Sequence, residues 1–262
     1  MNPLVLGSSP SGPTIRRRTV TFADVRQDDR LGKVNMTSQF RVIAIGGTGQ
    51  VGSAVVQALL AESLCREVVM VTRKPIVIAD PARLRHVVMD TGAADFEMRV
   101  ADLAKEVVAA GDRVSAVSCV GVGSGSSQWT ERQLKALEVG VVGAFARGVR
   151  QAEVAQFCLL SAVGANAGSG IKYARVMGLK EAAIQAVNFP RLAVFRPGII
   201  VGNAHTPRWV GWLGKLVPGA WGNIEQRDIG QAFVAEIAKK AAETGVTFYD
   251  NQAMRKSKGC GS

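Results

Sequence analysis

The residues with the most chemical meaning in this chain are Gly46-Gly47-Thr48-Gly49-Gln50-Val51-Gly52, which follow an aliphatic run (41–46, RVIAIG) and open an Ala/Val-rich stretch. Glycines at 46, 49 and 52 are what a strand-to-helix turn needs when its backbone must approach a pyrophosphate and its helix must pack tightly on a sheet. A helix starting there offers N–H groups and the positive end of its dipole to phosphate oxygens. Gly46, Thr48, Gly49, Gln50, Val51 and Gly52 are therefore candidate contacts to a dinucleotide.

A second signal sits at the end of the next apolar run, where the chain reads Val71-Thr72-Arg73-Lys74-Pro75. An acid at this point would bind the free 2′-hydroxyl of NAD, whereas Arg73 and Lys74 suit a 2′-phosphate. NADP(H) is the expected cofactor. Asp90, after the third run, either contacts adenine or caps the following turn. Val120 and Gly121 end the fourth run and open a glycine- and serine-rich loop through Gln128, where an α/β sheet presents its ligand crevice. The loop either covers the bound ligands or is a plain connector.

Positioning these groups requires an alternation of strands and helices, and from Arg41 the pattern supplies one. Strands are expected at 41–46, 67–72, 85–89, 113–120, 156–161, 191–196 and 246–249. Helices are expected near 50–62, 95–110, 131–152, 172–188, 207–216 and 228–243. Such alternation predicts one α/β domain with a doubly wound parallel sheet over 41–250, plus a small C-terminal substrate or lid region. Length (262 residues), 47% apolar and 20% charged residues suit a single sizeable domain and exclude a largely disordered chain.

Composition narrows the chemistry further. Four scattered cysteines and only two histidines argue against a disulfide framework, zinc and histidine triads. No run approaches the roughly 18 to 20 apolar residues of a spanning helix. The net charge is +11, of which residues 1–40 and 251–262 carry +3 each. A modestly basic body suits an anionic cofactor, while basic ends suit RNA, anionic lipid or targeting machinery. Residues 1–40 read as a flexible extension with a composition that resembles a targeting segment, and 251–262 as a basic tail. No aromatic RNA-binding motif or zinc finger appears, so specific nucleic-acid recognition is not expected.

GGTGQVG at 46–52, TRK at 72–74, LLSAVGAN at 159–166, Tyr173 and FRPGIIVGN at 195–203 together resemble the short-chain dehydrogenase/reductase superfamily. The resemblance is to its atypical branch, which includes the human Tat-interacting oxidoreductase, and covers roughly 41–245. It implies a Rossmann fold in which Ser161 and Tyr173 hold a substrate carbonyl. Arg196, Pro197 and Gly198 would form the turn beside the nicotinamide.

The family's lysine, four residues beyond the tyrosine, is replaced here by Met177. That lysine lowers the tyrosine pKa and bonds the nicotinamide ribose; methionine does neither. Lys180 is the candidate substitute, on nearly the same helical face and roughly 10 Å further along the axis at about 1.5 Å per residue. Otherwise Lys180 is a solvated charge and Met177 apolar packing. Cys119 reads as a buried thiol. Trp209, Trp212, Leu213 and Leu216 recur at helical spacing, either over the substrate cleft or on a helix for a protein or membrane partner. The expected function is an NADP(H)-binding reductase acting on a small-molecule carbonyl, cytoplasmic or mitochondrial. The alternative is a catalytically impaired, cofactor-binding scaffold or regulatory subunit.

Overall fold

The computed structural model describes residues 39–78, 80–201, 222–239 and 244–257. All belong to the second of two units into which the chain divides, Met1–Met36 and Thr37–Ser262. Nearly all of the expected flexible extension and the helix near 207–216 with its tryptophans lie outside the described residues.

In chain order the elements are β1 (Phe40–Ile45), α1 (Gln50–Ala61), β2 (Cys65–Thr72), β3 (Leu84–Val88), α2 (Phe96–Val108), β4 (Arg113–Ser118), a 3-10 segment (Gly123–Gln128), α3 (Glu131–Lys135), a π-helical segment (Ala136–Val141) and α4 (Val142–Gln151). There follow β5 (Gln156–Leu160), α5 (Lys172–Gln185), β6 (Arg191–Phe195), β7 (Ile199–Val201), β8 (Asn223–Glu225), α6 (Gln226–Ala238), β9 (Gly245–Tyr249) and α7 (Asn251–Lys256). Seven strands form one sheet in the order β3-β2-β1-β4-β5-β6-β9, every pair parallel. This is the doubly wound Rossmann order, with its switch point between β1 and β4.

The central strands are rich in Val, Ile, Ala and Phe because both faces of a parallel sheet are covered. One face packs on α2, α4 and α5 through Val100, Phe145, Phe157 and Ile184. The other packs on α1, α6 and α7 through Val55, Leu59, Phe233 and Met254. Register brings Ile45 opposite Val71 on one side and Ser118 on the other. The three strands thus end together, and the turns after them border one crevice.

Within the described residues the expected strands and helices are present with boundaries moved by a few residues. Three features differ from the sequence pattern. The run at 131–152 is not one α-helix, because the wider π-helical turn interrupts it at Ala136–Val141. A short parallel pair, β7 with β8, sits beyond β6. Residues 251–256, the first half of the expected basic tail, form α7: Asp250 caps it by accepting from the Ala253 amide, and Asn251 and Met254 are buried.

Candidate active site

The glycine loop is built by close approach of backbone to backbone. Gly46 has φ +80°, in the left-handed region, and a side chain there would meet the Cys119 and Val120 backbone at 2.5 Å. At Gly52 a Cβ would sit 2.0 Å from the Gly46 carbonyl oxygen, so α1 leaves the loop without room for alanine. Gly49 is the α1 N-cap and offers no side chain to its first-turn amides. The loop that leads into α1 borders a cleft of about 250 Å³, lined by Gly46, Thr48, Gly49, Thr72, Arg73, Thr91, Val120 and Gly121 among others; Gln50, Val51 and Gly52 do not line it. A glycine loop opening a helix beside a cleft that an arginine also lines suits a dinucleotide phosphate.

Val51 and Gly52 are buried on the sheet side of α1, while Thr48, Gly49 and Gln50 are exposed. Arg73 and Lys74 are both exposed just past β2, and Arg73 lines the cleft. Asp90 caps its turn: its carboxylate accepts from the Gly92 amide at 2.9 Å. A shallower groove of about 570 Å³ continues from Arg73 and Thr91 toward Trp129, Gln133 and Arg147.

Ser161 follows β5, and its amide donates to the Phe195 carbonyl at 2.7 Å. Val163 donates to the Pro197 carbonyl at 2.9 Å, which ties the serine loop to the Arg196-Pro197-Gly198 turn. The Gly198 amide is held by the buried Asn251 side-chain oxygen at 2.9 Å, and the Asn251 amide group reaches the Gly222 carbonyl. The Ser161 hydroxyl is not turned toward open space; it donates to Glu181 Oε1 at 2.5 Å. Arg196 grips the same carboxylate through Nε and Nη2 and stacks on Phe248, 4.3 Å from the ring centre.

Tyr173 lies in the first turn of α5 and packs against the apolar group formed by Leu134, Val176 and Met177. Among the described residues no hydrogen bond holds its hydroxyl. Burial raises its pKa well above the ordinary phenol value, and the nearby Glu138 carboxylate raises it further. Met177, in the place of the family's lysine, is 1% exposed. Tyr173 is therefore a neutral phenol across the physiological range.

Lys180 is not a solvated charge. It is 2% exposed, its Nζ lies 2.8 Å from Glu138 Oε2, and Glu138 is fully buried. The ammonium also lies 3.5 Å from the Val120 carbonyl, and the Val122 amide donates to Glu138 Oε1 at 3.3 Å. Sequence reading missed Glu138 and Glu181, whose partners are far away in the chain. A carboxylate among Leu137, Val139 and Val141, two residues before Gly140, was the available signal for Glu138. Cys119 is buried at the crevice floor, and desolvation pushes its thiol up to about 12, so it is no nucleophile.

No family model matches the chain. Among curated relatives, protein FMP52, mitochondrial, of Lodderomyces elongisporus is 24% identical over 215 residues, covering 78% of this chain and 87% of that protein. Rat protein HTATIP2 is 25% identical over 191 residues, covering 69% and 72%. These likenesses agree with the resemblance to atypical short-chain dehydrogenase/reductases carried by the sequence motifs. The fold agrees: the Bordetella bronchiseptica enzyme WbmH, solved in complex with NAD+, superposes with a TM-score of 0.60 over 81% of this chain and 76% of that one, at 13% identity.

Proposed function

We propose that the chain binds NADP(H) in the β1/β4 crevice and reduces a carbonyl compound at its Tyr173 end. The observation that carries this reading is the cleft itself: the uncapped start of α1 on one side, and Arg73 where an NAD-type site would place an acid. The WbmH likeness supports a dinucleotide of this class, and Arg73 with Lys74 supports the 2′-phosphorylated form.

The bound dihydronicotinamide would supply a hydride to the carbonyl carbon. Gly46, Thr48, Gly49, Gln50, Val51 and Gly52 would seat the phosphates, with Val120 and Gly121 on the opposite rim and Arg196, Pro197 and Gly198 beyond the nicotinamide. Tyr173 holds its proton at neutral pH and delivers it to the carbonyl oxygen as the alcohol forms. Ser161 commits its hydrogen to Glu181, so its oxygen orients the loop and supplies lone pairs; polarising a carbonyl would require its hydroxyl to turn. With Met177 in place of the lysine, the phenolate needed for alcohol oxidation is scarce. The protein is accordingly a slow reductase rather than a dehydrogenase.

Two observations favour a second reading as a cofactor-binding scaffold or regulatory subunit: Met177 is buried in the lysine's place, and the Ser161 hydroxyl is already taken. The fungal relative's mitochondrial name suits an intracellular setting for either reading, cytoplasmic or mitochondrial, and among the described residues no helix is long and apolar enough to cross a membrane. Migration of the native protein with a large assembly supports the scaffold.

The test of the cofactor reading is a fluorescence titration with NADPH and NADH. Wild type is expected to prefer NADPH, and Arg73→Ala to reduce that preference about tenfold, as loss of one charge-assisted contact to phosphate requires. Equal affinity for both nucleotides in wild type would remove the NADP(H) assignment.

A further inference from the structure

The Glu138–Lys180 pair lies beneath the rim of the cofactor crevice and is not used by the reaction above. Each partner spends its second valence on the same three residues: Lys180 Nζ on the Val120 carbonyl, and Glu138 Oε1 on the Val122 amide. Between these two anchors is Gly121, exposed on the rim, whose Cβ position would lie 3.7 Å from Glu138 Oε1. Val120 and Gly121 both line the dinucleotide cleft.

Two buried charges are an expensive way to fill space. A buried ion pair recovers its desolvation cost only with good geometry and further hydrogen bonds, and apolar residues of similar volume often do as well for stability. This pair is 42 residues apart in sequence and brings α5 against the π-helical segment, a wider turn often found at functional sites. The far end of the same loop is also tied to α5: Lys172 Nζ donates to the Trp129 carbonyl at 2.6 Å. The helix that carries Tyr173 thus holds the rim loop at both ends, with the buried contact at the cofactor side.

We propose that Glu138 and Lys180 are a positioning pair that fixes the Val120–Val122 rim of the dinucleotide cleft, and that this is the work of the α5 lysine in a chain with Met177 at the family position. The cleft's role as a cofactor site rests on the function proposed above; the anchoring of the rim does not.

The decisive variant is Glu138→Leu with Lys180→Met, which removes both charges while keeping apolar volume. Three quantities are read: thermal midpoint, backbone hydrogen exchange over 119–129 in the protein without cofactor, and affinity for NADPH. The expected result is a folded protein in which exchange at 120–122 rises at least tenfold and the NADPH Kd rises at least tenfold. A folded double variant with wild-type exchange and wild-type Kd overturns the proposal, because a pair that merely fills the core would behave so. If the double variant does not fold, Glu138→Gln keeps the shape and removes the charge. Exchange at 120–122 should then rise at least threefold, and no rise overturns the proposal. Wild-type protein that binds no NADPH would sink the cofactor reading, while exchange would still decide whether the pair anchors the rim.

Discussion

The glycine-loop cleft and the Ser161–Tyr173 region are built from different materials. The cleft is a backbone device: Gly46 and Gly52 let strand, loop and helix approach within contact distances no side chain tolerates. The Ser161–Tyr173 region is a side-chain device. There, Ser161, Glu181 and Arg196 form one hydrogen-bonded set, Lys180 and Glu138 another, and Tyr173 stands between an apolar group and a carboxylate. A backbone device depends on a few residues in one short segment. A side-chain device depends on partners brought together from distant parts of the chain, as Lys180 and Glu138 are.

The sharpest break between the two regions is Gly46→Ala. The new Cβ would press on the Cys119–Val120 backbone, and φ +80° is unfavourable for alanine, so about 3 kcal/mol of stability should be lost. NADPH affinity should fall about 1,000-fold, since the loop can no longer present its amides. Chemical denaturation and titration check this directly. Retained affinity would mean that the glycine turn does not shape the binding site.

Tyr173→Phe probes the other region and should leave cofactor affinity unchanged while lowering carbonyl reduction about 100-fold, the usual share of a positioned proton donor. The pH profile carries the finer test. Because burial and Glu138 raise the phenol pKa above its ordinary value of 10.0, the acid form persists through mildly alkaline pH. Reduction should be flat from about pH 6 to 9, whereas alcohol oxidation needs phenolate and should rise about tenfold per pH unit. A reduction rate that falls near neutral pH would show that the phenol ionises readily and that some cation has taken the lysine's place.

These differences also explain what was legible before the structure. Strand, glycine turn and helix are consecutive at 41–62, so one segment announces the glycine turn and, by repetition, the doubly wound sheet. Arg73 and Asp90 were equally readable as positions, and Asp90 resolved into a turn cap. Glu138 stands four residues after Leu134 and four before Val142, on the buried face even at ordinary helical pitch, so its position was readable but the lysine that pairs with it was not. Lys180 read as a substitute for the missing lysine or as a solvated charge, because its partner is 42 residues away, and Asn251 read as the start of a tail although it pins Gly198. Local backbone chemistry leaves a local pattern; a buried charge pair leaves none until its partner is known.

The smallest effect expected comes from the exposed clamp between α3 and α5. Glu131 accepts from Arg175 across the two helices and from Lys135 on its own, and together they hold its carboxyl at about 2, Arg175 contributing most. A depressed carboxylate pKa stabilises the fold above its ordinary value of 4.5, and that contribution is lost as pH falls through about 2. The contribution is modest because solvent screens the pair. Carboxyl carbon chemical shifts followed by NMR should place the Glu131 midpoint well below 4.5, and Arg175→Ala should return it most of the way. A midpoint near 4.5 in wild type would mean that α3 and α5 are not clamped there in solution, leaving the Glu138–Lys180 and Lys172–Trp129 contacts to hold the rim loop against the Tyr173 helix.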